Sequence, residues 1–430
     1  MRIGGRLQAA IEILTDIEAR HRPAADALKD WALNHRFAGS GDRGAIGNIV
    51  YDALRRRRSA GWLLGAETPR AQAFGALLLE GGWQAEALDA ALTGDKFAPP
   101  PLTPEEKGAL ASRRLPDAPP AVRADAPDWC APLLEAVFGE AWVEEGAAMA
   151  ARPPLDLRVN ALLATRDKVL RPLAEFAGAP APIAPHGVRI PPIQGGGRHP
   201  NVQAEPAFQQ GWFEVQDEGS QLAADLAGAK PGEAVLDFCA GAGGKTLALA
   251  ADMRNEGRIT AFDAEKARLA PIFDRLRRAD VRNVEVAARR GELSELEGRM
   301  DLVLVDAPCT GSGTWRRRPD AKWRLSPRQL DLRRAEQTAI LDDAARFVRP
   351  GGRLAFITCS VFAEENAAQV EALVSRRPEF VPADHAQLWT ENFPDAAGRA
   401  RIGAHGLQLS PALTGTDGFF FALLRREGSS

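Results

Sequence analysis

The chain has 430 residues, 45% of them hydrophobic and 26% charged, and a formal charge of −3. That is a globular protein of two or three domains whose overall charge gives no nucleic-acid signal, so only local basic clusters can carry one. No apolar run reaches the roughly 18 to 20 residues of a membrane helix, and Cys130, Cys239, Cys309 and Cys359 with six scattered histidines make neither a disulfide framework nor a metal knuckle.

The amino-terminal part reads as helical. Its first residues lead into an amphipathic segment rather than an apolar signal core, so a cytoplasmic protein is expected. Ile46, Ile49, Val50, Ala53 and Leu54 repeat at helical spacing behind a candidate cap, Asp42. The pattern ends in Arg55-Arg56-Arg57-Arg58, either a solvated helix end or a phosphate-contacting patch. Proline and alanine dominate residues 98–128, which reads as a linker or a long surface connection. A strand-like piece at 155–162 opens a proline- and glycine-rich stretch with Gly195-Gly196-Gly197. From Phe213 strand, turn and helix alternate, the pattern of a doubly wound, mostly parallel α/β sheet. The expected domains are an all-α domain at 1–145, a small α+β (RRM-like) connector at 146–212 and an α/β domain at 213–430.

Within the last domain, the strand at 234–239 runs into Ala240-Gly241-Ala242-Gly243-Gly244-Lys245-Thr246. A phosphate loop would need glycine where Cys239 stands, so the turn fails that motif. It reads instead as a strand-to-helix turn whose glycines let the backbone approach a nucleoside cofactor. The next strand ends in Asp263, about 20 residues downstream, where such folds place a carboxylate for ribose hydroxyls; the bland reading is a cap for the following helix.

Two apolar runs, 302–305 and 354–357, are too short for helices and end in turns bearing Cys309 and Cys359. Strand C-termini line the ligand crevice of a parallel sheet, so the two thiols are expected to face one pocket. A cysteine closing a strand is often only a small hydrophobe, the better reading for Cys130 and Cys239. Cys309 differs, because Asp306-Ala307-Pro308-Cys309 sets a carboxylate, a rigid proline and a thiol in one tight turn. Between Thr310 and Arg334, eight basic residues stand against Asp320 and Asp331, a local balance of +6 with Trp315 and Trp323 interleaved. Arg316, Arg317, Arg318, Lys322 and Trp323 are the candidate RNA contacts, since such a strip suits phosphates and unpaired bases.

The segments 215–222, 237–246 and 306–313, Thr358-Cys359-Ser360 with Glu364-Glu365-Asn366, and Asp417-Gly418-Phe419-Phe420 resemble, in order, the motifs of the RNA cytosine-C5 methyltransferases. The nearest group is the bacterial small-subunit (16S) rRNA methyltransferase B type. The first domain is similar to the NusB-like RNA-binding domain of that group. The resemblance implies a Rossmann-like class I domain with S-adenosyl-L-methionine over Cys239, Ala240, Gly241, Ala242, Gly243, Gly244 and Lys245, its ribose on Asp263 and its methionine end near Asp306. It implies that Cys359 attacks carbon 6 of cytosine, that Cys309 assists release, that Asp306 bonds the N3 edge and that Lys245 polarises the base or activates the thiol. The target is then RNA, 16S rRNA before tRNA, and the protein a monomer without metal, membrane or obligate protein partner. The chain departs from the family in lacking the proline of its Ala-Ala-Pro-Gly-Gly-Lys turn, and in offering Arg289 and Arg290 where the family commonly has an adenine-side acid. A dinucleotide oxidoreductase could share the turn and Asp263 but has no use for two strand-end thiols; a non-catalytic RNA scaffold would keep only the basic strip.

Overall fold

The computed structural model describes residues 1–428 and divides into two compact units. The first comprises Met1–Pro153, Pro192–His199 and Trp315–Leu325; the second comprises Pro154–Pro191, Pro200–Thr314 and the chain from Ser326 onward. The division differs from the three expected domains. The connector strands group with the α/β domain, and a short piece of the 310s groups with the helices.

The first unit is built of helices. The periodic segment forms the helix Ser40–Arg55, and its Ile46, Ile49, Val50 and Leu54 join Leu7, Ile13 and Leu14 of Ile3–Arg20 and Phe74 of Pro69–Leu79 in one core. Asp42 lies in the first turn rather than at the cap, which is Gly39, and receives the Arg6 guanidinium at 2.8 Å. The arginine run is a junction between two helices and is internally paired: Arg55 with Asp52, Arg56 with Glu80, Arg57 with Glu18 and Arg58 with Asp128. The proline-rich stretch contains the helix Pro104–Ser112, started by a reciprocal Thr103/Glu106 capping box.

The second unit carries two sheets. The smaller is antiparallel, order β2-β3-β1-β4, from β1 (Leu155–Val159), β2 (Ala179–Pro180), β3 (Gly187–Ile190) and β4 (Phe213–Val215). The larger has nine strands: β5 (Ala234–Asp237), β6 (Arg258–Phe262), β7 (Val284–Ala287), β8 (Met300–Asp306), β9 (Val348–Thr358), β10 (Phe380–Pro382), β11 (Arg401–Gly403), β12 (Gly406–Leu409) and β13 (Phe419–Arg426). Their order is β11-β12-β13-β9-β8-β5-β6-β7, with β10 on β13. β9, β8, β5, β6 and β7 run parallel, and β13 returns antiparallel along β9.

The apolar runs form strands because both faces are covered. Leu302 and Leu304 of β8 and Ala355 and Ile357 of β9 enter one core, while Val303, Val305, Leu354 and Phe356 enter the other. All eight are fully buried, which for a Leu or Val side chain contributes roughly 1.5–3 kcal/mol. The chain leaves β5 toward β6 and β7, then returns to lay β8 on the opposite side. The sheet therefore has a topological switch point at the carboxyl ends of β5 and β8, where a ligand crevice opens.

Candidate active site

β5 ends at Asp237 and the chain turns through 240–243 into the helix Gly244–Asp252. Gly243 has φ +83°, and a Cβ there would lie 2.4 Å from the Ile272 side chain, so the turn requires glycine on both counts. A cavity of about 250 Å³ opens above it, lined among others by Gln216, Ser220, Asp237, Gly241, Lys245 and Asp306. Cys239, Ala240, Ala242 and Gly244 line it too, with Arg268 and Arg275. Asp237 takes the Thr246 hydroxyl on Oδ2 at 2.7 Å, while its buried Oδ1 has no hydrogen-bond partner. Burial, together with the charges of Asp306 and Asp263, pushes the Asp237 carboxyl up to about 7. Burial and the same acids hold the Cys239 thiol well above its ordinary value, which makes it a neutral wall.

Asp263 is buried at the end of β6 and braces the turn. Its carboxylate accepts the Gly241 N–H at 3.0 Å and the Glu265 N–H at 2.9 Å, with the Arg268 guanidinium 3.4 Å away. The following helix, Lys266–Leu269, has Glu265 rather than Asp263 at its cap, and each oxygen of Asp263 keeps a lone pair beyond its backbone bond. Arg290 turns away from the cavity, pairing with Asp343 and lying over the Phe347 ring.

At the end of β8, Asp306 accepts the Lys245 ammonium at 2.7 Å. The lysine is buried and its Nζ also lies 5.4 Å from the centroid of Phe419. Past Pro308, Cys309 meets Cys359 of the β9 exit, Sγ to Sγ 3.3 Å, the two thiols sharing a hydrogen bond. That bond and burial, with the charge of Glu365 adding, hold the Cys309 thiol well above its ordinary value, so it is protonated at neutral pH. The two loops interlock. Gly313 donates to the Cys359 carbonyl at 3.0 Å and packs so closely on Gly418 that a Cβ would lie 2.0 Å from its carbonyl oxygen.

Cys309, Cys359, Asp306 and Lys245 therefore gather at one end of the sheet beside the turn 239–245. The expected basic strip does not form a free surface. Lys322 and Arg316 are buried within the helical unit, and the Trp323 indole donates to the Leu54 carbonyl at 2.6 Å. The Lys322 ammonium lies over the Trp323 and Trp315 rings. Burial lowers it to about 8, against the opposing charge of Asp125. Of the five candidates only Arg318 is exposed, with Arg317 half-buried. The strip's charges are interspersed with apolar residues that dock it, and docking took two of them, Arg316 and Lys322, inside.

Sequence reasoning gave no role to Glu365, which is fully buried and bonded to both thiol loops. An acid pair placed five residues past a strand-end cysteine was the available signal. It likewise gave none to Gln216, Ser220 and Arg275 in the cavity wall. Among the described residues no group of acidic, histidine or cysteine side chains is arranged to hold a metal, and no helix is long and apolar enough to cross a membrane.

A family model described as 16S rRNA methyltransferase RsmB/F matches residues 225–425, and one for the ferredoxin-like domain of RsmF/B-like methyltransferases matches residues 126–192. The ribosomal RNA small subunit methyltransferase B of Enterobacter sp. (strain 638) is 32% identical over 313 residues, 70% of this chain and 66% of the relative. The chain thus spans just under two thirds of the length of that curated relative. Among solved structures, PH0851 matches with a TM-score of 0.71 at 24% identity, covering 99% of this chain and 100% of that one, a likeness of fold. A methyltransferase homolog protein from Pyrococcus horikoshii matches with a TM-score of 0.57 at 27% identity over 71% of this chain and 97% of that one.

Proposed function

The chain belongs to the RsmB/F methyltransferase family, and from that premise we propose that it transfers a methyl group from S-adenosyl-L-methionine to carbon 5 of a cytosine in 16S rRNA. The observation that carries this reading is the pair of thiols 3.3 Å apart on the loop that follows Asp306 and on the β9 exit, next to a Lys245–Asp306 pair whose two residues line the glycine-turn cavity.

The cavity suits the cofactor. The buried Asp237 Oδ1 without a partner calls for a hydroxyl or ammonium donor. The acids Asp237 and Asp306 favour a cationic ligand, and Asp263 has lone pairs left for ribose hydroxyls behind Gly241. When bound, S-adenosyl-L-methionine supplies an electrophilic methyl group on a sulfonium.

Carbon 5 of cytosine is a weak nucleophile until a thiolate adds to carbon 6. Cys359 makes that bond, and the ring electrons it displaces become available at carbon 5. Asp306 holds the N3 edge, and the Lys245 ammonium at its other side polarises the base and favours thiolate nearby. After methylation the carbon 5 proton passes to solvent water, its C–H electrons re-form the C5–C6 double bond, and the S–C6 bond breaks with its electrons returning to Cys359, a release that Cys309 assists. The cytosine must be unpaired or flipped out, because the thiol approaches carbon 6 from the ring face. The same proposal keeps a cytoplasmic monomer, with the helical unit as a NusB-like RNA-binding part.

The test is incubation of the purified chain with methyl-labelled S-adenosyl-L-methionine and unmodified small-subunit rRNA or total tRNA, followed by nucleoside analysis. Label in 5-methylcytidine from rRNA is the expected result. Label from tRNA alone overturns the substrate, and no transfer to either RNA overturns the enzyme.

A further inference from the structure

We propose that Glu365 is the positioning residue of the two thiols, one carboxylate that ties together the residues following each of them and sets its charge beside Cys309. The proposal rests on the two-thiol reading above.

Thr310 follows Cys309, and Ser360 follows Cys359. Glu365 Oε1 accepts the Thr310 backbone N–H at 2.7 Å, and Oε2 accepts both the Thr310 hydroxyl and the Ser360 hydroxyl at 2.5 Å. The Ser360 hydroxyl is also 2.9 Å from that of Ser312, which in turn accepts the Val361 N–H. Gln337, fully buried on the helix Pro327–Ala344, donates to the Pro308 carbonyl at 2.9 Å and reaches Glu365 Oε1 at 3.5 Å. A buried carboxylate is costly to desolvate unless its lone pairs are filled, and here they are filled by donors from both thiol loops. The cost is therefore set against holding two loops, 50 residues apart in the chain, in one register.

The carboxylate also divides the thiols. The groups bearing on Cys309 and Glu365 are Cys359, the Gly311 N–H, the donors Thr310 and Ser360, and Arg333 on the neighbouring helix. Glu365 opposes ionisation of Cys309, and burial lifts its own carboxyl above the usual range against the pull of Ser360, Thr310 and Arg333. Cys309 is left as the proton-bearing thiol of the pair.

Two variants separate position from charge. In Glu365→Gln the amide oxygen still accepts the Thr310 N–H, and both hydroxyls can rotate to accept from the amide nitrogen, so the bridge survives without its charge. In Glu365→Ala both are lost. The first readout is binding of phenylarsine oxide to the full chain, a reagent whose As=O oxygen leaves as water when two adjacent thiols form two As–S bonds. Glu365→Gln should bind like the wild type, and Glu365→Ala at least about tenfold more weakly, since three hydrogen bonds to a charged group are lost and one alone is worth that factor. The second readout is the pH dependence of iodoacetamide alkylation at each cysteine, read by mass spectrometry, where the Cys309 profile should move to lower pH in Glu365→Gln. Unchanged arsenical binding in Glu365→Ala, or an unmoved Cys309 profile in Glu365→Gln, overturns the proposal. Should Glu365→Ala not fold, Glu365→Gln still decides through the alkylation profile. Neither readout uses RNA or cofactor, so a wild-type chain that transfers no methyl group would sink the proposed activity without touching this result.

Discussion

Lys245 and Asp306 lie 2.7 Å apart across the switch point of the sheet, one on the helix that follows the glycine turn and the other at the end of the strand that leads to Cys309. The contact joins the cofactor side of the crevice to the thiol side. A lysine 6% exposed would pay heavily for its charge without that partner, and Asp306, with a third of its side chain exposed, remains open to a base.

Replacing Asp306 by Asn keeps the shape and removes the charge. On the proposed mechanism Asp306→Asn should lower the single-turnover rate about 10²- to 10³-fold, the scale of losing one preorganised electrostatic contact. The measurement is methyl transfer at saturating cofactor. A loss smaller than about tenfold would remove Asp306 from the chemistry.

The thiol roles separate by what each variant leaves on the RNA. Cys309→Ala should accumulate a protein–RNA adduct that survives a denaturing gel, because attack proceeds and release does not. Cys359→Ala should form no adduct and lose activity. An adduct in the second variant and not the first would exchange the two roles.

Much of the site was legible in the sequence because strand ends are. Four or five consecutive buried residues closing on a polar turn locate the carboxyl edge of a parallel sheet, so Asp263, Asp306, Cys309 and Cys359 could be placed from the sequence, whereas Asp237, inside the run read as strand, could not. What could not be read was which charges turn inward. Lys322 and Arg316 count toward a basic strip in a one-dimensional tally, yet an apolar docking face carries them into the helical unit, where Asp125 and two indole rings receive the lysine. Glu365 was hidden for the same reason, since its meaning lies in Thr310 and Ser360, brought to it only by the pairing of β8 and β9.

Lys322 gives that distinction a test. Lys322→Met removes the cation facing buried Asp125 and should lower the melting temperature. It should leave the salt dependence of RNA binding unchanged, whereas a lysine on phosphate would take about 0.9 from the log–log slope on a duplex and about 0.7 on a single strand. A fall of that size would return the residue to the RNA interface.

Gly243 tests the turn. Gly243→Ala forces a side chain into the left-handed region and against Ile272, a strain of about 1–3 kcal/mol. Denaturant unfolding should show that loss, and titration calorimetry with S-adenosylhomocysteine should show weakened binding in the cavity above. An alanine variant as stable as the wild type would mean that the turn rearranges freely.

A half-buried carboxyl pair, Asp225 on the helix Glu218–Ala227 and Asp252 at the end of the helix Gly244–Asp252, makes stability depend on pH in a stated direction. Burial, with the charge of Asp252, pushes Asp225 up to about 8, and burial lifts Asp252 to about 6 despite the opposing charge of Arg158. Between the unfolded value near 4 and the folded value the native chain holds the proton that the unfolded chain has lost. Stability from this group is therefore complete below about pH 4 and is lost as pH rises toward 8. Asp225→Asn mimics the protonated form at every pH. It should be close to neutral at pH 4 and raise the melting temperature at pH 8 by at least about 2–4 °C, the equivalent of about 1 kcal/mol in a unit of this size. A gain that is the same at both pH values, or larger in acid, would mean that Asp225 is ionised in the folded protein.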